Sequence, residues 1–340
     1  MTQAVPSIFE RRRIDLEAEL RKVLKPFNGQ IYDMLRYHLG WVDEKGRTEN
    51  SNSGKALRPS LCLFSCTAAG GDWKQALPAA AALELVHNFS LIHDDIQDRD
   101  TERRHRKTVW SIWGESQGIN AGDAMAFVSQ VSLANLWQTG LDPQRIRSAY
   151  ALLNEATLEM IEGQALDLTF ERRGEISVEE YLDMISKKTG ALLRCSLEMG
   201  AAIGTSDTKA VAAFRKAGEK LGLSFQIRDD ILGIWGDEKV TGKPMRSDIY
   251  RKKKSMPVVM TINSQYGNEL KAIYAKDRLA GSEVDAILQI METSKARKNC
   301  EEWLSKACGE ASDAIASVKM ETPMQKDFED VIAFLTERDY

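Results

Sequence analysis

The chain alternates apolar and polar positions with the period of an α-helix along most of its length. Residues 7–24 place apolar side chains every three or four positions among charged ones, which is the pattern of a helix buried along one face. The same pattern recurs in residues 145–170, 178–204, 208–236, 269–293 and 297–317. Alternating β segments are almost absent, so the pattern predicts an all-α fold: one large helical domain over residues 1–340, with ten or more helices.

Polar residues stand before several of these stripes, where a side chain can accept hydrogen bonds from the first amides of a helix. Ser177, Asp207 and Ser282 are predicted N-caps on this basis. Two segments break the helical pattern: residues 43–55 form a polar loop, and residues 236–255 combine many charges with two glycines and a proline. A long charged loop inside a compact helical fold is typically a functional lid or is disordered, so the second segment is a candidate lid.

The composition indicates a cytoplasmic protein with no affinity for nucleic acid. Of the 340 residues, 46 are Lys or Arg and 50 are Asp or Glu, so the formal net charge is −4. The longest apolar stretch, residues 76–92, is interrupted by Glu84, His87 and Asn88 and is too polar to span a membrane. The N-terminus has no apolar signal segment. The five cysteines form no CxxC pair and are predicted to be buried, reduced thiols.

The densest group of chemistry-bearing residues lies at the end of this apolar, alanine-rich stretch. Asp94 and Asp98 are one helical turn apart, so their carboxylates share a face, with Asp95 beside them. The helix below them is too apolar to be exposed, which weighs against a merely solvated acidic helix end. Oxygen-only ligands suit Mg²⁺ or Ca²⁺, so the pattern predicts a cation site here.

A second acidic pair, Asp229 and Asp230, follows another mostly apolar helix, and basic residues cluster separately in 103–107, 187–188 and 251–254. Two helices that end in carboxylates are predicted to face each other across a cavity. Mg²⁺ bound by one or two carboxylates together with phosphate oxygens, which Arg and Lys also contact, accounts for this separation of acids from bases. Three of the basic residues, taken singly, are better explained as solvated loop surface: Arg106, Lys252 and Lys254.

These motifs, in this order, resemble those of the trans-isoprenyl diphosphate synthases, the polyprenyl synthetase family, over essentially the whole chain. The family's DDxxD motif is Asp94, Asp95 and Asp98, and the paired arginines Arg103 and Arg104 follow it. The other matches are GKxxRP at residues 54–59, GQxxD at 163–167, KT at Lys188-Thr189, FQxxDD at 225–230, and the loop residues Lys243, Asp248 and Lys253.

The resemblance implies a helical bundle of the isoprenoid synthase type around a central cavity. It also implies a homodimeric prenyltransferase that condenses isopentenyl diphosphate head-to-tail with an allylic diphosphate. Three Mg²⁺ ions, with Mn²⁺ as an alternative, are expected on Asp94, Asp98 and Asp229. The expected ligands of the allylic diphosphate are Arg103, Lys188, Lys243 and Lys253, and those of isopentenyl diphosphate are Lys55, Arg58, His87 and Arg104. Thr189 and Gln226 are expected near the developing allylic cation, and Asp95 completes the catalytic set.

The chain departs from the family pattern at several positions. Gly233 stands where the second acidic motif often has its third aspartate, and Ala56 replaces a common basic residue. After the paired arginines the usual Gly-x-Pro becomes residues 105–107, His-Arg-Lys, while Arg246 and Lys252 stand where the family tends to have glycine. No departure removes a charge that diphosphate binding needs, so we expect effects on substrate preference and loop geometry. At Gly233 we expect metal binding to be retained, with the same or an altered affinity.

The length of the product is predicted from the residues just before the first acidic motif. Phe89 lies five positions before Asp94, with the small Ser90 next to it, and no residue is inserted within the motif. A ring one turn down the cavity removes room for one isoprene unit, which is about as long as a helical turn of ~5.4 Å. This combination resembles the C20, geranylgeranyl diphosphate type; C15 farnesyl and longer products are the alternatives, and the ring as simple core packing is another.

Two other functions remain as alternatives at this stage. A class I terpene cyclase also ionises a diphosphate, but it needs no second diphosphate site, so Lys55, Arg58, His87 and Arg104 argue against it; Gly233 favours it. A non-catalytic partner subunit of a synthase usually lacks the first acidic motif, which this chain keeps.

Overall fold

The computed structural model describes residues 6–49, 54, 56–236 and 246–337, and most of these residues are helical, which confirms the predicted all-α class. The first helices are α1 (Ser7–Arg11), α2 (Arg13–Leu24), α3 (Gln30–His38), α4 (Leu57–Ala68), α5 (Trp73–Gln97), α6 (Val109–Trp113) and α7 (Glu115–Ala134). They are followed by α8 (Pro143–Glu171), α9 (Val178–Ile185), α10 (Ala191–Gly204), α11 (Thr208–Trp235), α12 (Ser247–Tyr250) and α13 (Met256–Ile262). The last are α14 (Gly267–Tyr274), α15 (Gly281–Thr293), α16 (Ala296–Ala316) and α17 (Thr322–Glu337).

Two short strands, one 3₁₀ turn and one π turn complete the helices and strands of the described residues. The strands β1 (Glu102–Arg103) and β2 (Arg106–Lys107) pair antiparallel. A 3₁₀ turn (Asn135–Gln138) follows α7, and a π turn (Ser186–Gly190) joins α9 to α10. No helix among the described residues is long and apolar enough to cross a membrane. All five cysteines are buried and none is in a disulfide, as predicted, while the cytoplasmic location stays a prediction.

Helix starts follow the predicted caps with one exception. Ser177 forms a capping box with Glu180, whose amide donates to the serine hydroxyl at 3.1 Å. The carboxylate of Asp207 accepts from the amide of Lys209 at 2.9 Å. The prediction for Ser282 is wrong, because α15 begins at Gly281 and the extended residue before it, Ala280, is the N-cap.

Two of the predicted stripes are interrupted by non-helical residues, and a third, residues 178–204, passes from α9 to α10 through the π turn. Residues 7–24 separate into α1 and α2 at Arg12, whose backbone leaves the helical region at φ −124° and ψ 16°. Residues 269–293 separate into α14 and α15, because the charged run 276–278 turns the chain at the surface. Hydrophobic periodicity continues across both breaks, so it does not mark them.

One compact unit comprises residues 7–154 and 196–212. Its central helix is α5, which packs against α4 and α7. Residues 79–82, four alanines of α5, are completely buried, and side chains this small let neighbouring helices approach closely. The apolar length of α5 is therefore explained by burial, and its C-terminal end carries the first acidic motif.

The other compact unit comprises residues 1–6, 155–195 and 213–340. Its core includes Tyr181 on α9, Ile227 and Ile231 on α11, Met256 on α13 and Cys300 on α16. This unit carries the KT motif in the π turn and the second acidic motif on α11. The prediction that the whole chain acts as one domain stays a prediction.

Candidate functional site

The three aspartates of the first motif differ in exposure. Asp98 is the C-cap of α5, its amide donates to the carbonyl of Asp94 at 2.8 Å, and its side chain is exposed. Asp94, one turn before it, is half-buried, whereas Asp95 is only 1% exposed. Asp94 and Asp98 are therefore the members of the motif that a ligand reaches, and Asp95 turns into the protein.

Asp95 forms a buried ion pair with one of the paired arginines. The distance from its Oδ1 to Nε of Arg103 is 2.7 Å. Burial raises the pKa of Asp95 to about 6, while the charge and hydrogen bond of Arg103 act in the opposite direction. Asp95 thus anchors Arg103, a residue predicted to bind the allylic diphosphate.

The other paired arginine lies in a strained hairpin turn between β1 and β2. Arg104 and His105, the two turn residues, both have positive φ, at 54° and 60°. This is the type I′ conformation that usually selects Asn-Gly or Asp-Gly, so His105 keeps the backbone expected of the family's glycine. The Arg104 guanidinium lies against Gly54: a Cβ there would be 2.8 Å from Nη2 of the arginine, so a side chain at position 54 would displace the guanidinium.

The hairpin is held in place by a residue that was predicted to be loop surface. The guanidinium of Arg106 donates to the carbonyls of Tyr37 and Val42, both at 2.8 Å, and pairs with Glu49 at 2.9 Å. The prediction of a solvated side chain is wrong for Arg106, because the turn brings its guanidinium over three acceptors.

Three of the residues predicted for isopentenyl diphosphate, Arg58, His87 and Arg104, interact electrostatically in the unit of residues 7–154 and 196–212. Burial lowers the pKa of His87 well below its ordinary value, and Arg58 and Arg104 lower it further, so the ring is neutral at pH 7. Burial lowers the pKa of Arg58 to about 10, which leaves its guanidinium protonated. This unit therefore offers cations and a neutral imidazole, a combination suited to an anion.

Two further residues that interact with this group, His38 and Glu84, were not predicted. Burial lowers the pKa of His38 to about 3, with Arg104 and Arg103 as further causes. Burial also raises the pKa of Glu84, while Asn88, Arg104 and Arg58 act to lower it. A glutamate inside an apolar, alanine-rich run was the available signal for Glu84, but the sequence gives no signal for His38.

In the other unit, a π turn presents the KT motif. Gly163 of α8 and Gly222 of α11 allow this turn to approach both helices closely. A Cβ at Gly163 would lie 2.1 Å from the amide nitrogen of Lys188, and one at Gly222 would lie 2.5 Å from Cα of Gly190. Single π turns inside helices occur often at functional sites. Here the turn brings Lys188 into a salt bridge with Asp167, the last residue of the GQxxD match.

A chain of hydrogen bonds runs from the π turn to the second acidic motif. The hydroxyl of Thr189 donates to Oε1 of Gln226 at 2.6 Å, and Nε2 of the same amide donates to Oδ1 of Asp230 at 3.0 Å. Oδ2 of Asp230 accepts from the hydroxyl of Tyr181 and, at 2.8 Å, from the amide of Met256. Burial raises the pKa of Asp230, and Lys253, Tyr181 and Met256 act to lower it. The neighbouring Asp229 is half-buried and is the more accessible carboxylate.

The loop lysines and the predicted lid are described only in part. Lys243 and Lys55 lie outside the described residues, as does most of the first half of the 236–255 segment. The side chain of Lys253 is 43% exposed, and its Nζ lies 4.0 Å from Oδ1 of Asp230. Whether the segment acts as a lid stays a prediction.

Two cations of this loop keep the backbone conformation of the glycines they replace. Arg246 and Lys252 have φ values of 63° and 52°. Arg246 pairs with Asp285 at 2.8 Å, and Nζ of Lys252 donates to the carbonyls of Lys276 and Asp277. The prediction of a solvated Lys252 is therefore wrong, because its ammonium group caps a neighbouring turn.

The glycine at the third position of the second motif has a steric cause. A Cβ at Gly233 would lie 2.2 Å from Oδ2 of Asp248, whose side chain is buried. The carboxylate of Asp248 thus fills the space that a side chain at position 233 would need. Gly233 is required by its neighbour, which gives a structural reason for the departure from the family pattern.

We expect Gly233→Asp to lower the free energy of unfolding by about 2–3 kcal/mol, because it places a second carboxylate on that of Asp248. Gly309→Asp is the matched control: Gly309 is also in a helix interior, is exposed and has no neighbour within 4 Å of a Cβ, so its effect stays within about 1 kcal/mol. Urea unfolding of both variants measures the difference. Equal losses in the two variants would show that Asp248 does not exclude a side chain at position 233.

The donor groups at the two acidic motifs fit a hard divalent cation. Asp94, Asp98 and Asp229 offer carboxylate oxygens only, and Mg²⁺ in proteins is commonly held by one or two carboxylates together with substrate phosphates. Among the described residues, no group of three or more His, Cys, Asp or Glu side chains is placed to hold a metal by itself. Whether the two motifs share one cavity stays a prediction.

Comparison with known proteins identifies one family. Its sequence model, Polyprenyl synthetase, matches residues 41–291. A (2E,6E)-farnesyl diphosphate synthase of Mycobacterium bovis is 36% identical over 325 residues, which cover 94% of this chain and 89% of that protein. A geranylgeranyl diphosphate synthase of Mycobacterium tuberculosis is also 36% identical, over 318 residues that cover 92% of this chain and 90% of that one.

A solved structure with the same fold agrees with these relatives. The crystal structure of polyprenyl synthetase from Streptomyces coelicolor superimposes with a TM-score of 0.90 at 34% sequence identity. The match covers 98% of this chain and 99% of that one. The likeness therefore extends over both compact units of the chain.

Proposed function

The chain belongs to the polyprenyl synthetase family and is a trans-prenyl diphosphate synthase, and we propose that its product is geranylgeranyl diphosphate, made from isopentenyl diphosphate and an allylic diphosphate. The observation that supports the condensation is a second set of groups suited to a diphosphate: Arg58 and Arg104, with the neutral His87, in addition to Lys188. A cyclase ionises one diphosphate and needs no second set. The set therefore favours a reaction between two diphosphates.

Members of this family use a divalent metal to bind diphosphate, and we propose Mg²⁺ here, as three ions. The metal ligands would be Asp94, Asp98 and Asp229. When bound, the ions neutralise the charge of the leaving diphosphate. The proposed side-chain ligands of the allylic diphosphate are Arg103, Lys188, Lys243 and Lys253, and those of isopentenyl diphosphate are Lys55, Arg58, His87 and Arg104.

The residues of the chain supply orientation, charge and exclusion of water. Lys188 and Arg103 hold oxygens of the diphosphate that leaves as the allylic C–O bond ionises. Arg58 and Arg104 fix the second substrate by its diphosphate, so that its alkene meets the cation at once. The apolar face of α5 keeps water from quenching the cation. Released diphosphate then removes the final proton and restores a neutral alkene.

The C20 product is supported by the position of Phe89. Its ring is buried on α5, five residues before Asp94, and packs edge-to-face against His93 at a centroid distance of 5.9 Å. Relatives named for farnesyl, geranylgeranyl and geranylfarnesyl diphosphate all match this chain, so their names do not select one length. The small Ser90 beside it, whose hydroxyl donates to the carbonyl of His87, leaves the ring as the bulky group at this level.

Phe89→Ala is expected to lengthen the main product by one or more isoprene units, because the removed ring frees about one helical turn of length, ~5.4 Å. Phe27→Ala, which removes a ring stacked on Tyr32 away from this helix, is the matched control and keeps the wild-type product. Chromatography of the dephosphorylated products measures the change. An unchanged product from Phe89→Ala would eliminate the ring as the floor of the cavity.

The function is tested by incubating the protein with Mg²⁺, labelled isopentenyl diphosphate and, separately, C5, C10 and C15 allylic diphosphates. Products are dephosphorylated and identified by mass. A C20 alcohol is expected. A C15 product, or one of C25 and above, would keep the synthase and refute the length assignment. A cyclic hydrocarbon formed without isopentenyl diphosphate would indicate a cyclase, and the absence of any product would favour a partner subunit.

We also propose that the protein is a homodimer, supported by an apolar face of α7. Ile119, Phe127 and Val131 follow one side of this helix, and Phe127 is 75% exposed, while α7 packs on α5 within its unit. Phe127→Glu is expected to halve the mass measured by sedimentation, because it places a charge in an apolar contact. Glu115→Gln, at the exposed start of the same helix, is the control. A wild-type protein that sediments as a monomer would refute the dimer.

A further inference from the structure

We propose that Asp230 is a positioning residue, which fixes the direction of the hydrogen bond between Thr189 and Gln226. The inference rests on the proposed function, because the family resemblance is what assigns Thr189 and Gln226 to the neighbourhood of the allylic cation. Neither Asp230 nor Tyr181 is assigned a role by that resemblance. Both are buried, each with 1% exposure.

The direction of each hydrogen bond follows from what the groups are able to donate. The amide nitrogen of Met256 is always a donor, so Oδ2 of Asp230, 2.8 Å away, must accept. The hydroxyl of Tyr181 donates to the same oxygen. Oδ1 of the carboxylate then accepts from Nε2 of Gln226 at 3.0 Å. The amide of Gln226 is thereby oriented, with its oxygen directed away from Asp230.

The orientation of this amide determines where the Thr189 proton lies. Because Oε1 of Gln226 only accepts, the hydroxyl of Thr189, 2.6 Å away, must donate to it. The threonine proton is then held in the hydrogen bond to Gln226, and the lone pairs of Oγ1 point away from that bond. Lone pairs directed at a developing positive charge stabilise it, whereas an O–H directed at it would oppose it. The π turn, held by Gly163 and Gly222, keeps Thr189 in this register.

This chain of bonds also explains why two adjacent aspartates have different roles. Both oxygens of Asp230 are occupied by donors from three different segments, residues 181, 226 and 256. Lys253, at 4.0 Å from Oδ1, adds a compensating charge. Asp230 therefore forms hydrogen bonds inside its unit, and the half-buried Asp229 is the aspartate of this pair that we propose as a ligand of the cation.

Asp230→Asn tests the inference because it reverses the direction of these hydrogen bonds with little change in the shape of the side chain. The amide of Met256 is unable to switch, so the side-chain oxygen of the introduced asparagine stays on Met256 and its NH₂ group faces Gln226. Gln226 must then turn its oxygen toward residue 230 and its NH₂ group toward Thr189, which releases the threonine proton. We expect kcat to fall about a hundredfold, with KM for both diphosphates and calorimetric binding of inorganic diphosphate with Mg²⁺ changed less than about threefold.

A second substitution in the same background restores the original direction. In the double variant Asp230→Asn with Gln226→Glu, the new carboxylate accepts from both residue 230 and Thr189, so the threonine donates again. We expect the double variant to recover at least about tenfold in kcat over Asp230→Asn, an outcome that a merely structural role of Asp230 does not produce. A double variant no faster than the single one, with diphosphate binding intact in both, would overturn the inference.

Tyr181→Phe provides an independent measurement if the Asp230 variant fails to fold. It removes one of the two donors to Oδ2 and leaves the amide of Met256 and the orientation of Gln226 unchanged, so kcat is expected to remain within about threefold of wild type. A loss above about tenfold with diphosphate binding intact would refute the assignment of the orientation to Asp230 and Met256. A wild-type protein that forms no prenyl product refutes the proposed function instead, which separates the two failures.

Discussion

Replacing Asp94 by asparagine is expected to lower kcat about a thousandfold, or ~4 kcal/mol of transition-state stabilisation. Asp94 is half-buried at the end of α5, so the change removes a charged oxygen ligand without emptying the core. A neutral amide oxygen binds a hard divalent cation more weakly than a carboxylate does. The measurement is steady-state condensation over a range of Mg²⁺ concentrations, in which the variant also needs more Mg²⁺ for its half-maximal rate.

Asp123→Asn is the matched control for this prediction. Asp123 is on α7 in the same unit, its side chain is 62% exposed, and its nearest ionic partner is His93 at 3.7 Å. The control makes the same change of charge, and we expect it to keep kcat within about threefold. If Asp94→Asn has the wild-type melting temperature and loses less than tenfold in kcat, the metal-binding role of Asp94 is wrong.

Gly163→Ala is expected to have the second large effect, although it adds one carbon atom and no charge. Its Cβ would lie 2.1 Å from the amide nitrogen and 2.6 Å from Cα of Lys188, and backbone atoms in a packed turn have little freedom to move aside. Overpacking of this kind lowers the free energy of unfolding by about 1–3 kcal/mol. The π turn must also shift Lys188 and Thr189, and a displacement near 1 Å lowers the rate on the order of a hundredfold.

Gly309→Ala makes the same chemical change in the interior of α16, where a Cβ has no neighbour within 4 Å. Alanine is the better helix former there, so this control is expected to gain about 0.5–1 kcal/mol in the free energy of unfolding. Urea denaturation and kcat are measured for both variants. Equal stability and equal activity would show that the close contact between α8 and the π turn does not control the position of Lys188.

The helices and the accessible acids could be predicted from the sequence because local signals specify them. The alanine-rich run before Asp94 predicts a buried helix that ends in carboxylates, and α5 has this structure. The N-cap at Ser177 is likewise a local signal, and its capping box needs only one further residue, Glu180. The helix break at Arg12 was missed because the hydrophobic pattern does not change when the backbone dihedral angles of a single residue leave the helical region.

The parts of the site that depend on distant contacts could not be predicted. The three bonds to Asp230 come from residues 181, 226 and 256, which are separated by tens of positions. A double aspartate by itself gives no indication which member turns inward. For the same reason, Gly233 looks like a missing metal ligand when only the sequence is considered. In the structure, the carboxylate of Asp248 occupies the space that a side chain at position 233 would need. Arg106 was misjudged because its acceptors lie far away in sequence, at the end of α3 and in the segment that follows it, within residues 37–49.

The left-handed backbone at His105, Arg246 and Lys252 has a consequence for how the sequences of related proteins change at these positions. A side chain in this conformation costs about 1–2 kcal/mol, but replacing glycine also removes about 0.4–1 kcal/mol of unfolded-chain entropy, so the net penalty of the exchange is small. Mutational drift away from glycine is therefore tolerated at these positions. The side chains gained can acquire contacts, as Arg246 does with Asp285. A search pattern that demands glycine at these points would overlook chains whose backbone turns there in the same way.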